Sequence, residues 1–200
     1  MTRLFVLARH GESTLNAAGV VNGDPSRDVR LTQQGRDEAL LLGHQVRNVE
    51  LDLCVVTRFG RTRETAELAL GGRCVRIEVE PLFDDVDVGD LEGSSLDDYR
   101  AWKQEHTRAD PFPNGESLDA AAVRYSRALR SLLDREEQTI LVVTHEIPVR
   151  YALNAAEGWA DPDSPHRKLA NATPYLFDEH RLAAAAARLF PERDRSSDSG

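Results

Sequence analysis

Cysteine is scarce in this 200-residue chain, with only Cys54 and Cys74, which is too few for a disulfide framework. Cys54 lies in an apolar run at 51–56, so we interpret it as a small buried hydrophobic residue. The chain also lacks any run of about 18 uncharged apolar residues, which excludes a transmembrane helix. Its first apolar run, at 4–8, is too short for a secretory signal. We therefore expect a cytoplasmic protein with reduced thiols and no membrane partner.

Positive charge is also in the minority. The 25 Lys and Arg residues stand against 34 Asp and Glu residues, which gives a formal net charge of −9. A negative protein has no general attraction to nucleic acid or to an anionic membrane, so we expect neither as a partner. The length fits one large domain that buries about 70% of its unfolded surface and needs no metal or disulfide for stability.

Short apolar runs predict four β-strands, at 4–8, 53–57, 75–79 and 140–144. Three of them are nearly all apolar, as in strands covered on both faces. The run at 75–79 alternates apolar and charged residues, which is typical of an edge strand.

Helical patterns occupy the stretches between these strands. Helices are predicted to begin at Thr32, near Gly60, after Ser117 and at Arg181. On the first of them, four apolar side chains are expected to face the core: Ala39, Leu40, Leu42 and Val46.

Strands that alternate with helices predict an α/β fold. We expect residues 1–190 to form a single three-layer domain, with a mostly parallel central sheet and helices on both faces. Residues 81–115 show no regular pattern, and we expect an irregular insertion that covers a site. Residues 191–200 are polar and are expected to be a flexible tail.

Arginine and histidine follow three of the predicted strands. Arg9 and His10 follow the first, Arg58 and Arg61 follow the second, and His145 follows the last. Ligands of open α/β sheets bind at the carboxyl ends of the strands, so these side chains are expected to meet. Guanidinium groups pair with phosphate oxygens, and an imidazole can act as a nucleophile near neutral pH. The pattern therefore predicts a site for a phosphoryl group.

The same residues lie in motifs that resemble those of the histidine phosphatase superfamily, whose phosphoglycerate mutase branch is the best known. The opening motif reads RHGESxxN and starts at Arg9. Further segments resemble the family in the same order, so that the resemblance covers about residues 4–150. The matching segments are 9–16, 31–35, 57–66, 88–93, 113–117 and 142–145.

The resemblance implies a phosphoglycerate mutase-like fold and a reaction that needs neither metal nor cofactor. His10 would be the nucleophile and would form a phosphohistidine. Arg9, Arg61 and His145 would surround the phosphate and neutralise its charge in the transition state. Asn16 would donate a further hydrogen bond to a phosphate oxygen.

Other residues near these motifs are candidates for contacts with substrate. Gly11 lacks a Cβ and would let a substrate approach the backbone beside His10. Arg58 directly follows a strand and could flank the pocket, as the second choice to Arg61. Arg63 is interpreted as part of a solvated helix face.

A leaving alkoxide needs a proton, so an acid should face His10. The family has this acid four residues before the glycine that matches Gly89, which selects Asp85, although glutamate is usual there. Other carboxyl groups crowd residues 84–92. Their repulsion could raise the pKa of one of them into a useful range, and an acidic run is also typical of a solvated loop.

Glu146 replaces the glycine that is common in the family after the last histidine. It could orient an imidazole, contact a substrate hydroxyl or face solvent. Glu12 could act on the site or make structural hydrogen bonds. Two histidines with two nearby glutamates also suggest a metal site, but the neighbouring arginines would repel a cation, so no metal is expected.

A phosphatase and a mutase would share this machinery. Only about twenty residues separate Gly93 from Pro113, whereas mutases with this signature carry longer segments that exclude water. We therefore expect hydrolysis of a small phosphorylated metabolite, with a phosphoglycerate mutase and a non-catalytic phospholigand-binding module as alternatives. The alcohol would be chosen by variable stretches at 22–24, which includes Asn22, at 96–110 and at 171–173. A homodimer is one assembly that we consider.

Overall fold

The structure is a computed structural model that describes residues 3–165 and 168–190. The predicted tail at 191–200 lies outside these residues. The described ranges contain a five-stranded sheet with helices on both faces. The strands are β1 (Leu4–Arg9), β2 (Leu53–Val56), β3 (Arg76–Val79), β4 (Thr139–Thr144) and β5 (Pro174–Asp178).

Seven α-helices lie in the described ranges, and short 3₁₀ turns occupy Pro81–Phe83 and Gly89–Leu91. None of these helices is long and apolar enough to cross a bilayer. The helices are α1 (Thr14–Ala17), α2 (Gln33–Gln45), α3 (Gly60–Leu70), α4 (Leu96–Glu105), α5 (Leu118–Leu133), α6 (Glu146–Ala156) and α7 (Glu179–Leu189).

The strand order is β3-β2-β4-β1-β5, and β5 alone runs antiparallel to its neighbour. This confirms a mostly parallel sheet with the strand at 76–79 on an edge. Arg9 pairs with Thr144, and Val56 pairs with Val143. Three parallel strands therefore end at nearly the same level, and the residues that follow them share one edge of the sheet.

Alternate residues of the central strands enter different halves of the core. Phe5 and Leu7 of β1 pack with side chains of α5, α6 and α7. Val6 and Ala8 pack with side chains of α2 and α3. All four residues are fully buried, which explains why the strand is apolar throughout rather than alternating.

The predicted helices are present. Thr32 and Ser117 cap α2 and α5 by accepting hydrogen bonds from the backbone N–H groups of Gly35 and Ala120. The prediction for Leu40 was wrong, because its side chain is 53% exposed. The other three side chains, Ala39, Leu42 and Val46, are buried as predicted.

The expectation of an irregular segment at 81–115 was wrong in part, because α4 lies within it. Ser95 and Asp98 form a capping box at its start, a signal that the sequence already contains. The strand β5 and the helix α6 were not predicted. β5 starts with a proline and pairs with β1 alone, and α6 has Pro148 in its first turn, where no backbone donor is needed.

Candidate active site

His10 lies directly after β1, where its backbone N–H donates to the carbonyl of Thr144 at 2.8 Å. Nε of Arg61 lies 3.0 Å from Nε2 of His10. Because a guanidinium can only donate, Nε2 is the acceptor and Nδ1 carries the proton, which it donates to the carbonyl of Gly11 at 2.7 Å. The imidazole is thereby held in the tautomer that leaves a lone pair on Nε2.

Burial also keeps His10 neutral. Its side chain is almost inaccessible, and burial lowers its pKa well below the usual value, with further lowering by the charges of Arg61 and Arg9. A neutral imidazole is the nucleophilic form, so the local electrostatics favour attack on an electrophile at neutral pH.

Arg61 is the centre of the site. It lies in the first turn of α3 and is 3% exposed. Besides His10, its guanidinium donates to Oδ1 and the carbonyl of Asn22, to Oδ2 of Asp85 at 3.2 Å and to Nδ1 of His145 at 3.1 Å. One cation therefore connects residues that follow three different strands.

His145 is the fully buried N-cap residue of α6. Its Nδ1 accepts from Arg61, so its Nε2 carries the proton and donates to Oγ1 of Thr57 at 3.0 Å. Burial lowers the pKa of His145 well below the usual value, and the charge of Arg61 lowers it further. The centroids of the His145 and His10 rings are 5.4 Å apart.

Asp85 brings a carboxyl group close to His145 and Arg61. Its Oδ2 lies 3.2 Å from Arg61 and 3.4 Å from Nδ1 of His145. Burial raises its pKa above the usual value, although Arg61 acts in the opposite direction. A carboxyl group with a raised pKa retains its proton to higher pH, as a proton donor requires.

Arg124 of α5 is a residue that the sequence analysis missed. Its guanidinium donates to the carbonyls of Leu82, Asp84 and Asp85 at 2.9 to 3.2 Å, and so holds the Asp85 loop against the helix. The only signal in the sequence was its place next to Tyr125, a buried residue of α5.

Two nitrogen atoms of the Arg9 side chain, NH1 and Nε, differ in their hydrogen bonding. Its NH1 forms an ion pair with Oε2 of Glu146 at 2.7 Å and donates to the carbonyl of Leu169 at 3.1 Å. Its Nε is buried and has no hydrogen-bond partner among the described residues. Of the three roles considered for Glu146, facing solvent does not fit, because its other oxygen, Oε1, accepts from Arg150 at 2.9 Å.

The reason given for Gly11 was also wrong. A Cβ on Gly11 would lie 2.2 Å from the carbonyl oxygen of Gly35, so the backbone of α2 occupies that space. The glycine permits close packing of two backbones rather than the approach of a substrate. Its N–H donates to Oγ1 of Thr65 at 3.0 Å.

The other predicted substrate contacts are engaged within the protein. Asn16 closes the cap of α1, where its Oδ1 accepts from the N–H of Ser13 at 3.2 Å. Asn22 bonds Arg61, and its Nδ2 donates to Glu92 at 2.9 Å. Arg58 forms an ion pair with Asp84 at 2.5 Å. The hydrogen bonds of Asn22 make it a support for Arg61. Arg63, as predicted, is exposed and pairs with Glu67.

A pocket of about 510 Å³ adjoins the site at Asp85. Six carboxyl groups and two arginines line it, whereas His10, Arg9 and His145 do not. Within 3–165 and 168–190, no three His, Cys, Asp or Glu side chains are arranged to hold a metal ion. The lining residues are Gly23, Asp24, Pro25, Arg58, Pro81, Asp84, Asp85, Asp87, Gly89, Glu92, Glu116 and Arg124.

Comparison with known proteins identifies the family and agrees with the fold. The chain is 31% identical over 147 residues to a probable phosphoglycerate mutase, GpmB, of Erwinia tasmaniensis, covering 70% of this chain and 67% of that protein. The solved structure of the alpha-ribazole phosphatase from Shigella flexneri has a TM-score of 0.76 and 26% identity, covering 86% and 89% of the two chains. Bacillus stearothermophilus YhfR has a TM-score of 0.77 and 27% identity over the same shares. The family described as the histidine phosphatase superfamily (branch 1) matches residues 5–188, and this chain is therefore an enzyme of that superfamily.

Proposed function

We propose that the chain is a metal-independent phosphomonoesterase that hydrolyses a small phosphorylated metabolite through a phosphohistidine at His10. The observation that carries the proposal is the hydrogen bond from Arg61 Nε to Nε2 of His10, which defines a neutral imidazole with its lone pair toward a cation. Asp85 accepts a hydrogen bond from the same guanidinium. Burial raises the pKa of Asp85, which supports its role as the proton donor.

The reaction has two steps. In the first, Nε2 of His10 bonds to phosphorus as the bond from phosphorus to the alcohol oxygen breaks, and Asp85 gives its proton to that oxygen. In the second, water attacks phosphorus, Asp85 takes a proton from the water, and the bond from phosphorus to nitrogen breaks. Arg61 and the orphaned Nε of Arg9 supply donors for the phosphate oxygens.

A phosphoglycerate mutase is the second candidate, because a relative with 31% identity is named as one. Phosphoglycerates carry a carboxylate besides the phosphoryl group. The pocket beside Asp85 is lined by six carboxyl groups against two arginines, and this excess of negative charge disfavours that second anion. Nearby donors are also occupied, because the backbone N–H groups of Gly23 and Asp24 already donate to Glu92. Both observations favour hydrolysis of an ester whose alcohol is not an acid.

A non-catalytic phospholigand-binding module, the other alternative from the sequence, does not fit the site. Such a module is expected to lack the nucleophile or the acid. His10 and Asp85 both accept hydrogen bonds from the guanidinium of Arg61, and the presence of both groups favours an enzyme.

The test is phosphate release from p-nitrophenyl phosphate and a panel of metabolites, including 3-phosphoglycerate and 2,3-bisphosphoglycerate, with isomerisation followed in parallel. We expect phosphate release that falls at least about a thousandfold in His10→Ala. His44→Ala, at an exposed position of α2, is the matched control and should keep full activity. Rapid conversion of 3- to 2-phosphoglycerate without phosphate release would overturn the proposal.

A further inference from the structure

A chain of ion pairs extends from Arg9 away from the site. Glu146 lies between two arginines, with Oε2 at 2.7 Å from Arg9 NH1 and Oε1 at 2.9 Å from Arg150 NH1. Arg150 NH2 continues to Oδ1 of Asp163 at 2.7 Å, and Oδ2 of Asp163 accepts from Lys103 Nζ at 2.8 Å. The chain of five charges links β1, α6, the loop after α6 and α4.

Most of the side chains in this chain have little contact with solvent. Arg150, Arg9 and Asp163 are 4%, 11% and 14% exposed, and Glu146 is 26% exposed. Ion pairs with so little contact with water are poorly screened and have restricted geometry. Burial alone would raise the pKa of Asp163, but the hydrogen bond from Lys103 and the charge of Arg150 hold it below the usual value.

Arg9 depends on this arrangement for its orientation. Its NH1 is held by Glu146 and by the carbonyl of Leu169, while its buried Nε has no partner in the described part of the chain. A guanidinium anchored at one end presents its remaining donors in a defined direction, because the group is planar.

We propose that Glu146 is a positioning residue that orients Arg9 for the phosphoryl group, and that Arg150, Asp163 and Lys103 hold Glu146 in place. The proposal rests on the proposed function, in which Arg9 binds phosphate. It replaces a direct contact between Glu146 and substrate, since both oxygens of Glu146 are engaged by arginines.

The test is the affinity for inorganic phosphate, measured by calorimetry, together with kcat and KM for p-nitrophenyl phosphate. Glu146→Gln keeps the shape of the side chain but removes its charge. We expect phosphate binding and kcat/KM to weaken about tenfold to a hundredfold, because a displaced positioning group costs effects of this size. Glu78→Gln is the matched control: Glu78 also pairs with two arginines, Arg76 and Arg135, and is 30% exposed, but it lies on the edge strand β3.

A double-mutant cycle separates positioning from general stability. If Glu146 acts through Arg9, then Glu146→Gln should change phosphate affinity less than about twofold in an Arg9→Lys background. The same loss in both backgrounds would contradict the proposal, as would an unchanged affinity in the single variant.

Glu146→Asp covers the case in which Glu146→Gln does not fold. Aspartate keeps the charge and retracts the carboxylate by about 1.5 Å, one carbon–carbon bond. We expect a several-fold loss of phosphate affinity, and an unchanged affinity would overturn the proposal. Calorimetry needs no turnover, so a wild-type protein that binds phosphate without hydrolysing an ester would count against the proposed function alone.

Discussion

Arg61 supplies most of the hydrogen bonds that join the candidate catalytic side chains. It donates hydrogen bonds to His10, His145 and Asp85, each within 3.2 Å. Burial lowers the pKa of Arg61, and the negative charge of Asp85 opposes this change. A bound phosphoryl group offers oxygens to the same N–H groups. Replacement of these internal acceptors by phosphate would release Asp85 toward the leaving oxygen.

Asp85→Asn is predicted to discriminate between leaving groups. Hydrolysis of an alkyl phosphate should fall about a hundredfold or more, because the alkoxide needs a proton, whereas p-nitrophenyl phosphate should lose only a few-fold. In the wild type, activity on the alkyl ester should fall as pH rises through the raised pKa of Asp85, because the acid then loses its proton. The variant should not show this loss of activity at high pH. Profiles of rate against pH, measured with both substrates, test the prediction.

Asp90→Asn is the control for this experiment. Asp90 lies in the same acidic run, is exposed and accepts hydrogen bonds from Asn114. It should leave the ratio of the two rates unchanged. An equal loss on both substrates in Asp85→Asn would show that the proton comes from another group.

Among the elements, α2 supports the nucleophile by close contact of backbones. A Cβ on Gly35 would lie 2.0 Å from the carbonyl oxygen of Glu12, in the loop that follows His10. The motif glycines at 11 and 35 therefore permit one contact between a helix and a loop, and neither can be replaced without moving backbone.

Gly35→Ala should consequently destabilise the protein by about 1–3 kcal/mol and reduce activity, because α2 must move away from the loop. Urea unfolding and phosphate release measure the two effects. Gly60→Ala, at the start of α3, is the matched control, since its Cβ would have no neighbour closer than 3.8 Å. That variant should unfold at the same or higher urea concentration. A stable and fully active Gly35→Ala would contradict the packing argument.

At the scale of the whole molecule, charge is separated rather than evenly mixed. The net charge is −9, yet the arginines at positions 9 and 61 carry positive charge to one buried point beside two neutral histidines. The acidic pocket lies directly next to this point. We expect the substrate to carry one phosphoryl group, which matches the buried arginines, and a neutral or cationic alcohol, which matches the acidic pocket.

The two buried histidines also make folding sensitive to acid. Their pKa values in the folded chain lie well below 6.5, so the unfolded chain binds more protons as pH falls through that value. Stability should therefore fall with decreasing pH, by at most about 1.4 kcal/mol per histidine for each pH unit below 6.5. Denaturant titrations between pH 7.5 and pH 5 measure the slope of the unfolding free energy against pH. About half of this slope should remain in His145→Asn. An identical slope in that variant would contradict the inference that His145 is uncharged in the folded chain.

The sequence by itself determined the strands that are buried on both faces, because runs such as 4–8 and 140–144 carry their own apolar signal. It also determined that His10, Arg61 and His145 meet, since the ends of parallel strands share an edge, although Arg58 pairs with Asp84 instead. The tertiary structure alone decided contacts between distant segments. Glu146 is paired with Arg9 only because α6 starts beside β1, and α2 leaves no space at Gly11. β5 is a strand because β1 offers it a free edge, and such partners have no local signal in the sequence.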